Sequence, residues 1–238
     1  MKSSELSADK KENFEDSRYG MIGLLVCMVS LLVVVPFFQD SLMTRIFFNL
    51  FFTGILIFSV VPFVNRIRPS LIISLTLAIP TLVVHWGLMI NPGFWEFFPG
   101  VENLLSMLFT GFVIFVLLAG IVRARRVDTN LIFGSVCVYL LIGLEFGFIY
   151  GLMEDQIPGT FKGMSPDLSA SSGDPHWDFP QYLYFSFTTL TTLGYGDITP
   201  LTNPARMMTS IQAMTGQFYI AILVARLIGI QLSGESKS

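Results

Sequence analysis

A short polar string around Tyr195 carries the residue types best suited to binding a bare cation. It reads Thr-Thr-Leu-Gly-Tyr-Gly-Asp from Thr191 to Asp197, with glycine at alternate positions. Glycine permits backbone conformations that residues with a Cβ resist, so successive carbonyl oxygens can be turned toward one axis. The hydroxyl of Thr192 can add one more oxygen ligand. An ordinary glycine-rich turn is the alternative, but the long apolar segments on both sides favour cation binding.

The elements that must position this string are apolar helices. Of the 238 residues, 53% are hydrophobic and 13% are charged, which excludes an ordinary soluble domain. A helix needs about 20 apolar residues to cross a bilayer. Six segments meet this requirement: 19–38, 46–64, 70–90, 101–122, 130–152 and 203–230. Their apolar runs lack the alternation of barrel strands, so we expect an all-α membrane protein with six transmembrane helices.

A shorter helix is predicted directly before the string. Asp178 or a neighbour can cap its start, and Pro180 suits its first turn. We expect this helix to run from about Pro180 to Thr191, which is too short to span a bilayer. It is therefore predicted to be re-entrant and to end at the string.

The distribution of basic residues predicts the orientation. In the six-span arrangement, all of the 14 Lys and Arg residues except Arg45, Lys162 and Arg206 fall on one side. Cytoplasmic segments carry the excess of Lys and Arg. We therefore expect a multi-pass protein of the plasma membrane with both termini in the cytoplasm and the string facing outward.

The string resembles the selectivity filter of potassium channels, whose pattern is Thr-Val-Gly-Tyr-Gly, often followed by Asp. The resemblance extends over residues 129–231, which would form the pore domain: outer helix, extracellular loop, pore helix, filter and inner helix. It implies K⁺ ligands at Thr192, Leu193, Gly194 and Tyr195, a backbone turn completed by Gly196, and Asp197 at the outer mouth. One filter segment cannot enclose an ion, so the resemblance implies a homotetramer in the lipid membrane, with K⁺ as permeant ion and no cofactor.

The surroundings of the filter depart from the commonest pattern of the family at two positions. Leu193 stands in place of valine, on a side chain that the family directs away from the ion. Thr188 stands where some bacterial relatives have a glutamate, so we expect a hydroxyl hydrogen bond in place of an acid–acid contact with Asp197. Tyr184 and Phe185 occupy the positions of the aromatic pair that packs around the family's filter.

The last span carries the predicted gate. Gly216 follows Gly196 by twenty residues, as the family's hinge glycine does, although a glycine for close helix packing is an equal alternative. The resemblance implies that the inner cavity is lined by Gln217, Ile220 and Val224. Farther toward the cytoplasm, Ile228 and Leu232 could form an apolar constriction that gates by dewetting.

The fifth span combines small residues with an acid. Gly143, Gly147 and Gly151 share one helix face, which we expect to pack on the pore helix or the last span. Glu145 is predicted near the outer end of this helix. An acid in a span usually has a partner, and voltage-gated relatives use one to bind backbone amides beside the pore. A position at the lipid–water boundary is the alternative.

The first half of the chain has no resemblance to guide it. We expect a cytoplasmic tail at 1–18, a four-helix transmembrane domain at 19–122, a cytoplasmic linker at 123–128 and a short tail at 232–238. The fourth span, from Leu104 to Val122, contains no basic residue, and His85 is the only titratable group deep within these spans. Voltage sensing needs several charges in the field, so steep voltage gating is not expected.

These observations predict a potassium-selective channel that is not an enzyme, because no nucleophile–base pair, phosphate loop or metal-ligand cluster occurs. Nucleic acid is not expected as a partner, and any regulatory subunit or ligand is unknown. A weakly selective cation channel of the same fold is one alternative. A non-conducting membrane sensor or accessory subunit is another.

Overall fold

Helices account for most of the chain in the computed structural model. It describes residues 19–37, 41–64, 68–90, 100–124, 126–164 and 179–235. Six helices within these ranges are long and apolar enough to cross a membrane. They are α1 (Tyr19–Phe37), α2 (Ser41–Val64), α3 (Arg68–Ile90), α4 (Val101–Arg123), α5 (Thr129–Gln156) and α7 (Asn203–Glu235). The prediction of six spans is confirmed by these six helices. A helix suits a bilayer because its backbone polar groups are hydrogen-bonded within the helix itself.

A seventh helix, α6 (Phe179–Leu190), lies between the last two spans. It has the length and position predicted for the re-entrant helix, and Pro180 lies in its first turn. The proposed cap Asp178 and the predicted tail at 1–18 lie outside the described residues. The predicted tail at 232–238 begins too early, because α7 continues to Glu235.

One short β-ribbon was not anticipated. Strands β1 (Phe161–Lys162) and β2 (Thr199–Pro200) pair antiparallel, with Phe161 opposite Pro200. The amide of Leu201 extends the pairing by donating to the carbonyl of Thr160 at 2.8 Å. This ribbon joins the loop after α5 to the segment that follows the polar string.

The fifth span, α5, is the most buried of the six long apolar helices. In the apolar stretch of α5, 61% of the residues are buried, whereas only 6% are buried in the apolar stretch of α7. Helix α5 begins at the N-cap Asp128, whose carboxylate accepts from the amide of Leu131 at 2.8 Å, and it packs against α4, α6 and α7. Because α7 is apolar yet almost uncovered, one chain alone leaves a large membrane-embedded face without a protein neighbour.

Small residues allow α5 to approach its neighbours, as predicted for two of the three glycines. A Cβ at Gly143 would lie 2.5 Å from the ring of Phe187, and one at Gly147 would lie 3.5 Å from Leu183. Both neighbours belong to α6. The prediction is wrong for Gly151, which contacts Asn103 of α4.

The four-helix domain docks on the pore segment of the same chain through aromatic rings. Phe48 of α2 packs edge-on against Phe179 at the start of α6, with ring centroids 4.8 Å apart. Phe52 meets Phe148 of α5 at 5.5 Å. Aromatic pairs of this geometry add to the stability gained by burial, so α2, α5 and α6 form one continuous core.

Candidate ion-conduction site

The polar string begins where α6 ends, and its backbone alternates in handedness. The φ angles are positive at Thr192 (57°), Gly194 (52°) and Gly196 (80°). Within the described residues, Thr192 is the only non-glycine with positive φ. Alternation in the sign of φ allows successive carbonyl oxygens to face one side, and glycine adopts this conformation without the steric penalty of a Cβ.

The pore helix holds the inner part of the string through its backbone. The carbonyl oxygen of Thr188 accepts from the amides of Leu193 (2.8 Å) and Gly194 (3.1 Å). The hydroxyl of Thr188 donates instead to the carbonyl of Phe185 at 3.0 Å. The side-chain hydroxyl therefore does not replace the acid–acid contact with Asp197; the main chain of Thr188 provides the support.

The outer end of the string is tied to the pore helix by a phenol. The hydroxyl of Tyr184 donates to Asp197 Oδ2 at 2.6 Å, and the amide of Ile198 donates to Asp197 Oδ1 at 3.0 Å. The hydrogen bond from Tyr184 is the main cause that lowers the pKa of the Asp197 carboxyl. The same bond raises the pKa of Tyr184 to about 12. Both shifts favour the pair of a neutral phenol and an ionised carboxylate.

The expected aromatic pair around the string is only half present. Tyr184 reaches Asp197, but Phe185 faces away from the string. Its ring packs 5.1 Å from Tyr150 and 5.3 Å from Phe161. Successive residues of a helix point in directions about 100° apart, and within this chain Phe185 contacts α5 and β1 in place of the string.

The loop after α5 supports the outer mouth, and sequence reasoning missed this. The carboxylate of Glu154 accepts from the amides of Gly159 (2.5 Å) and Phe161 (3.2 Å), which shapes the turn before β1. After β1, Gly163 lies directly against the carbonyl oxygen of Asp197, with φ of 91°. No residue with a Cβ would fit there. Gly163 is therefore the feature of the sequence that could have indicated this contact.

The prediction for Glu145 was wrong about its partner. Its carboxylate accepts a hydrogen bond from the hydroxyl of Thr110 on α4, not from amides beside the pore. It lies half-buried in α5, with Gly111 of α4 close to its carboxylate. The acid of α5 that binds backbone amides is Glu154, in the last turn of the helix.

The inner end of the string meets α7. The side-chain amide of Gln217 donates to Thr192 Oγ1 at 3.3 Å, which brings a predicted cavity residue to the predicted inner ligand. Gly216 packs against the carbonyl oxygen of Leu190, the last residue of α6. Helix α7 runs unbroken through Gly216, so the geometry here is that of close packing, and the hinge stays a prediction.

The remaining predicted pore residues are exposed on one chain. The exposed fractions are 45% at Ile220, 49% at Val224, 54% at Ile228 and 61% at Leu232. Tyr195 is also exposed, at 68%. Leu193 lines an apolar cavity of about 380 Å³ between α6 and the end of α1. The string therefore lies on the surface of the single chain.

A basic side chain joins the C-terminal part of α7 to the end of α4. Arg226 Nε donates to the carbonyl of Ile121 at 3.1 Å, and Nη2 donates to the carbonyls of Val122 and Ala124. These carbonyls lie at the end of α4, where a helix leaves its last acceptors unsatisfied and favours positive charge.

The fourth span, α4, has a single basic residue and is joined to α3 by polar contacts. Arg123 in its last turn is its only basic residue. Near its outer end, Glu102 Oε1 lies 2.9 Å from His85 Nδ1 of α3, and Ser106 Oγ lies 2.9 Å from His85 Nε2. The histidine that stood out in the sequence thus joins α3 to α4.

Comparison with known proteins identifies the segment that carries the string. The ion channel family matches residues 135–231. Two-pore potassium channel 4 of Arabidopsis thaliana is 31% identical over 97 residues, which make up 40% of this chain and 29% of the relative. Potassium channel subfamily K member 10 of Mus musculus is 32% identical over 81 residues, 34% of this chain and 15% of the relative. Two pore potassium channel c of Oryza sativa subsp. japonica is 34% identical over 73 residues, 31% and 16% respectively. No solved structure matches.

The aligned part spans less than a third of the length of these curated relatives. The predicted resemblance to the potassium channel family is confirmed over this segment. The family match begins within α5 and leaves α1 to α4 outside it.

Proposed function

We propose that this chain, whose residues 135–231 match the ion channel family, conducts K⁺ passively across the plasma membrane as a homotetramer. One observation carries the proposal: a string with positive φ at alternate residues follows a largely buried re-entrant helix and lies on the surface of the chain. Backbone carbonyls in such an arrangement can replace the hydration shell of a K⁺ ion.

The tetramer is inferred from the exposure of the string and α7. The sequence contains one filter string, and a pore ring needs four. Helix α7 is apolar, and only 6% of the residues in its apolar stretch are buried. Three neighbouring copies around an axis would cover α7 and complete the ion sites. The names of two relatives state two pores, so the subunit count of this chain is a point to measure.

We also propose that opening depends weakly on voltage. Each charge that crosses the field supplies about 2.3 kcal/mol per 100 mV. Helix α4 carries one arginine, in its last turn, where a basic residue anchors a span to the cytoplasmic surface. A conductance–voltage curve with a steepness of several elementary charges would contradict this part of the proposal.

The test is the reversal potential of purified protein in a planar bilayer, with potassium on one side and sodium on the other. We expect reversal close to the potassium equilibrium potential. A matched variant, Gly194→Ala, keeps the fold of the helices but places a Cβ at a residue with φ of 52°, and we expect it to lose potassium selectivity.

Three outcomes would favour a rival. Current that reverses near zero in the unaltered protein supports the weakly selective cation channel. Leu193→Val would then be the first substitution to test. Tetramers that pass no ion under any condition support a sensor or accessory subunit. A subunit count other than four by native mass spectrometry would contradict the homotetramer.

A further inference from the structure

A cluster of three polar side chains lies in the apolar core behind the pore helix. Gln212 of α7 and Ser186 of α6 are fully buried, and so is Tyr150 of α5. A buried polar group is costly unless it is hydrogen-bonded. These three residues thus need one another, and they come from the three helices that surround the start of the filter.

The partners of each group give the hydrogen atoms of the cluster, and the hydroxyl of Thr209 on α7 also lies close to that of Tyr150. Gln212 Nε2 lies 3.0 Å from the carbonyl oxygen of Ser186, which can only accept, so the amide nitrogen faces α6. The amide oxygen then accepts from the hydroxyl of Tyr150 at 2.5 Å. Ser186 Oγ donates to the carbonyl of Gly143 at 2.5 Å and accepts from Gln212 Nε2 at 2.6 Å.

The cluster therefore leaves none of these groups without a partner. Both amide hydrogens of Gln212, its amide oxygen, the Tyr150 hydroxyl and the Ser186 hydroxyl are all used. A fully satisfied buried network specifies one arrangement of the elements that it joins, because any shift leaves a polar group unpaired. Apolar packing alone permits small sliding movements at lower cost.

The position of Ser186 makes this restraint relevant to the filter. It lies one turn before Leu190, where α6 ends. The carbonyl of Thr188, two residues after Ser186, holds the amides of Leu193 and Gly194. A rotation or translation of α6 would carry these acceptors with it and change the path of the filter backbone.

We propose that Gln212 is a positioning residue for the selectivity filter. It fixes the rotation and depth of the pore helix relative to the inner helix, and it acts through Ser186. This inference rests on the proposed channel function. It goes beyond that function because it assigns the geometry of the ion sites to a residue that touches no ion.

The test compares Gln212→Met and Ser186→Ala with Tyr219→Phe. Gln212→Met removes both bonds from α7 to Ser186. Ser186→Ala removes the bond to the Ser186 hydroxyl, together with the bond from that hydroxyl to Gly143. The matched control removes a different hydrogen bond of α7, from the Tyr219 hydroxyl to the carbonyl of Ser135 on α5 at 2.7 Å, which does not involve α6. The main measurement is the rubidium-to-potassium permeability ratio under bi-ionic conditions.

We expect a severalfold change in that ratio for Gln212→Met and Ser186→Ala and none for Tyr219→Phe. Gln212→Glu should behave like Gln212→Met, since a carboxylate has no hydrogen to donate to the carbonyl oxygen of Ser186. Wild-type ratios in Gln212→Met and Ser186→Ala, with tetramers intact, would overturn the proposal. So would an equal change in Tyr219→Phe, because any loosening of α7 would then suffice.

A second measurement separates this inference from the channel function. K⁺ bound between subunits stabilises the tetramer by mass action, so the thermal midpoint in detergent should rise with K⁺ concentration even if no current flows. We expect Gln212→Met to raise the half-saturating K⁺ concentration severalfold. An unchanged value would overturn the role of Gln212, whereas wild-type protein that is not potassium-selective in the bilayer would contradict the proposed function alone.

Discussion

The phenol oxygen of Tyr184 lies 2.6 Å from Asp197 Oδ2, across the turn between the pore helix and the outer mouth of the string. The bond links a helix residue to the residue that follows the second filter glycine. It fixes the outer end of the string while the carbonyl of Thr188 fixes the inner part. The string is thus held to α6 by side chains at its outer end and by backbone hydrogen bonds along its inner part.

Removal of the phenol should loosen the outer mouth. Tyr184→Phe deletes one hydrogen bond to an ionised carboxylate and leaves the ring in place. We expect faster loss of current during sustained opening and weaker discrimination against sodium, measured as the inactivation time constant and the reversal potential. Tyr219→Phe is the control, because it removes a phenol that donates to the carbonyl of Ser135 on α5, away from the string. An unchanged time constant in Tyr184→Phe would show that the bond has no part in filter stability.

The same bond predicts a plateau in the pH dependence of the unaltered protein. The pKa of Asp197 lies below the ordinary 3.8, so the contribution of the bond is complete above pH 3.8 and is lost as pH falls through the lowered value. The pKa of Tyr184 is raised to about 12 from the ordinary 10.0, so the contribution is complete below pH 10.0 and is lost as pH rises toward 12.

The thermal midpoint of the tetramer, scanned from acid to alkali in unaltered protein and Tyr184→Phe, measures this dependence. The difference between the two curves should be constant inside the window and should shrink at both ends. A difference that changes near neutral pH would mean that another titratable group controls the outer mouth.

Two glycines of the loop after α5 offer a matched pair of substitutions. Gly163→Ala and Gly159→Ala both place a Cβ at positive φ, 91° and 82°, a strain of about 1 to 2 kcal/mol. Only at Gly163 does the Cβ also collide with the carbonyl of Asp197, since the space beside Gly159 is open. We expect a lower thermal midpoint in both and altered sodium permeability in Gly163→Ala alone. Equal sodium permeability in the two variants would mean that β1 does not support the filter.

The pair of Glu145 and Thr110 should stabilise the contact between α4 and α5. Thr110→Val removes the donor, and the carboxylate left behind in the core should cost about 1 to 3 kcal/mol. Glu145→Gln keeps an oxygen that can accept from Thr110 and should cost less. A double-mutant cycle with Glu145→Leu, read from unfolding in detergent, gives the coupling free energy. A coupling of zero would mean that the two groups do not interact in the membrane.

The spans and the pore helix could be predicted because their signals are local. Hydropathy over one helix length identifies a span, and Pro180 marks a helix start whatever surrounds it. The observed limits of α6, Phe179–Leu190, differ from the predicted 180–191 by one residue at each end. The positive φ at Gly194 and Gly196 likewise follows from the residue type, whereas the positive φ at Thr192 does not.

The partners of polar groups could not be predicted, because they depend on how helices meet. Glu145 and Glu154 lie on one helix, and nothing in the sequence says which of them reaches backbone amides. The bonds of Gln212 require α5, α6 and α7 to converge on one point. The β-ribbon has two residues per strand, too few for any period to be visible.

The contact of Arg226 with the end of α4 has a mechanical consequence. This side chain lies between Val224 and Ile228, within the part of α7 where the predicted cavity narrows, and it holds three carbonyls of another helix. Outward displacement of that part of α7 must either break these bonds or carry the end of α4 along. The end of α4 and this part of α7 are therefore expected to move together.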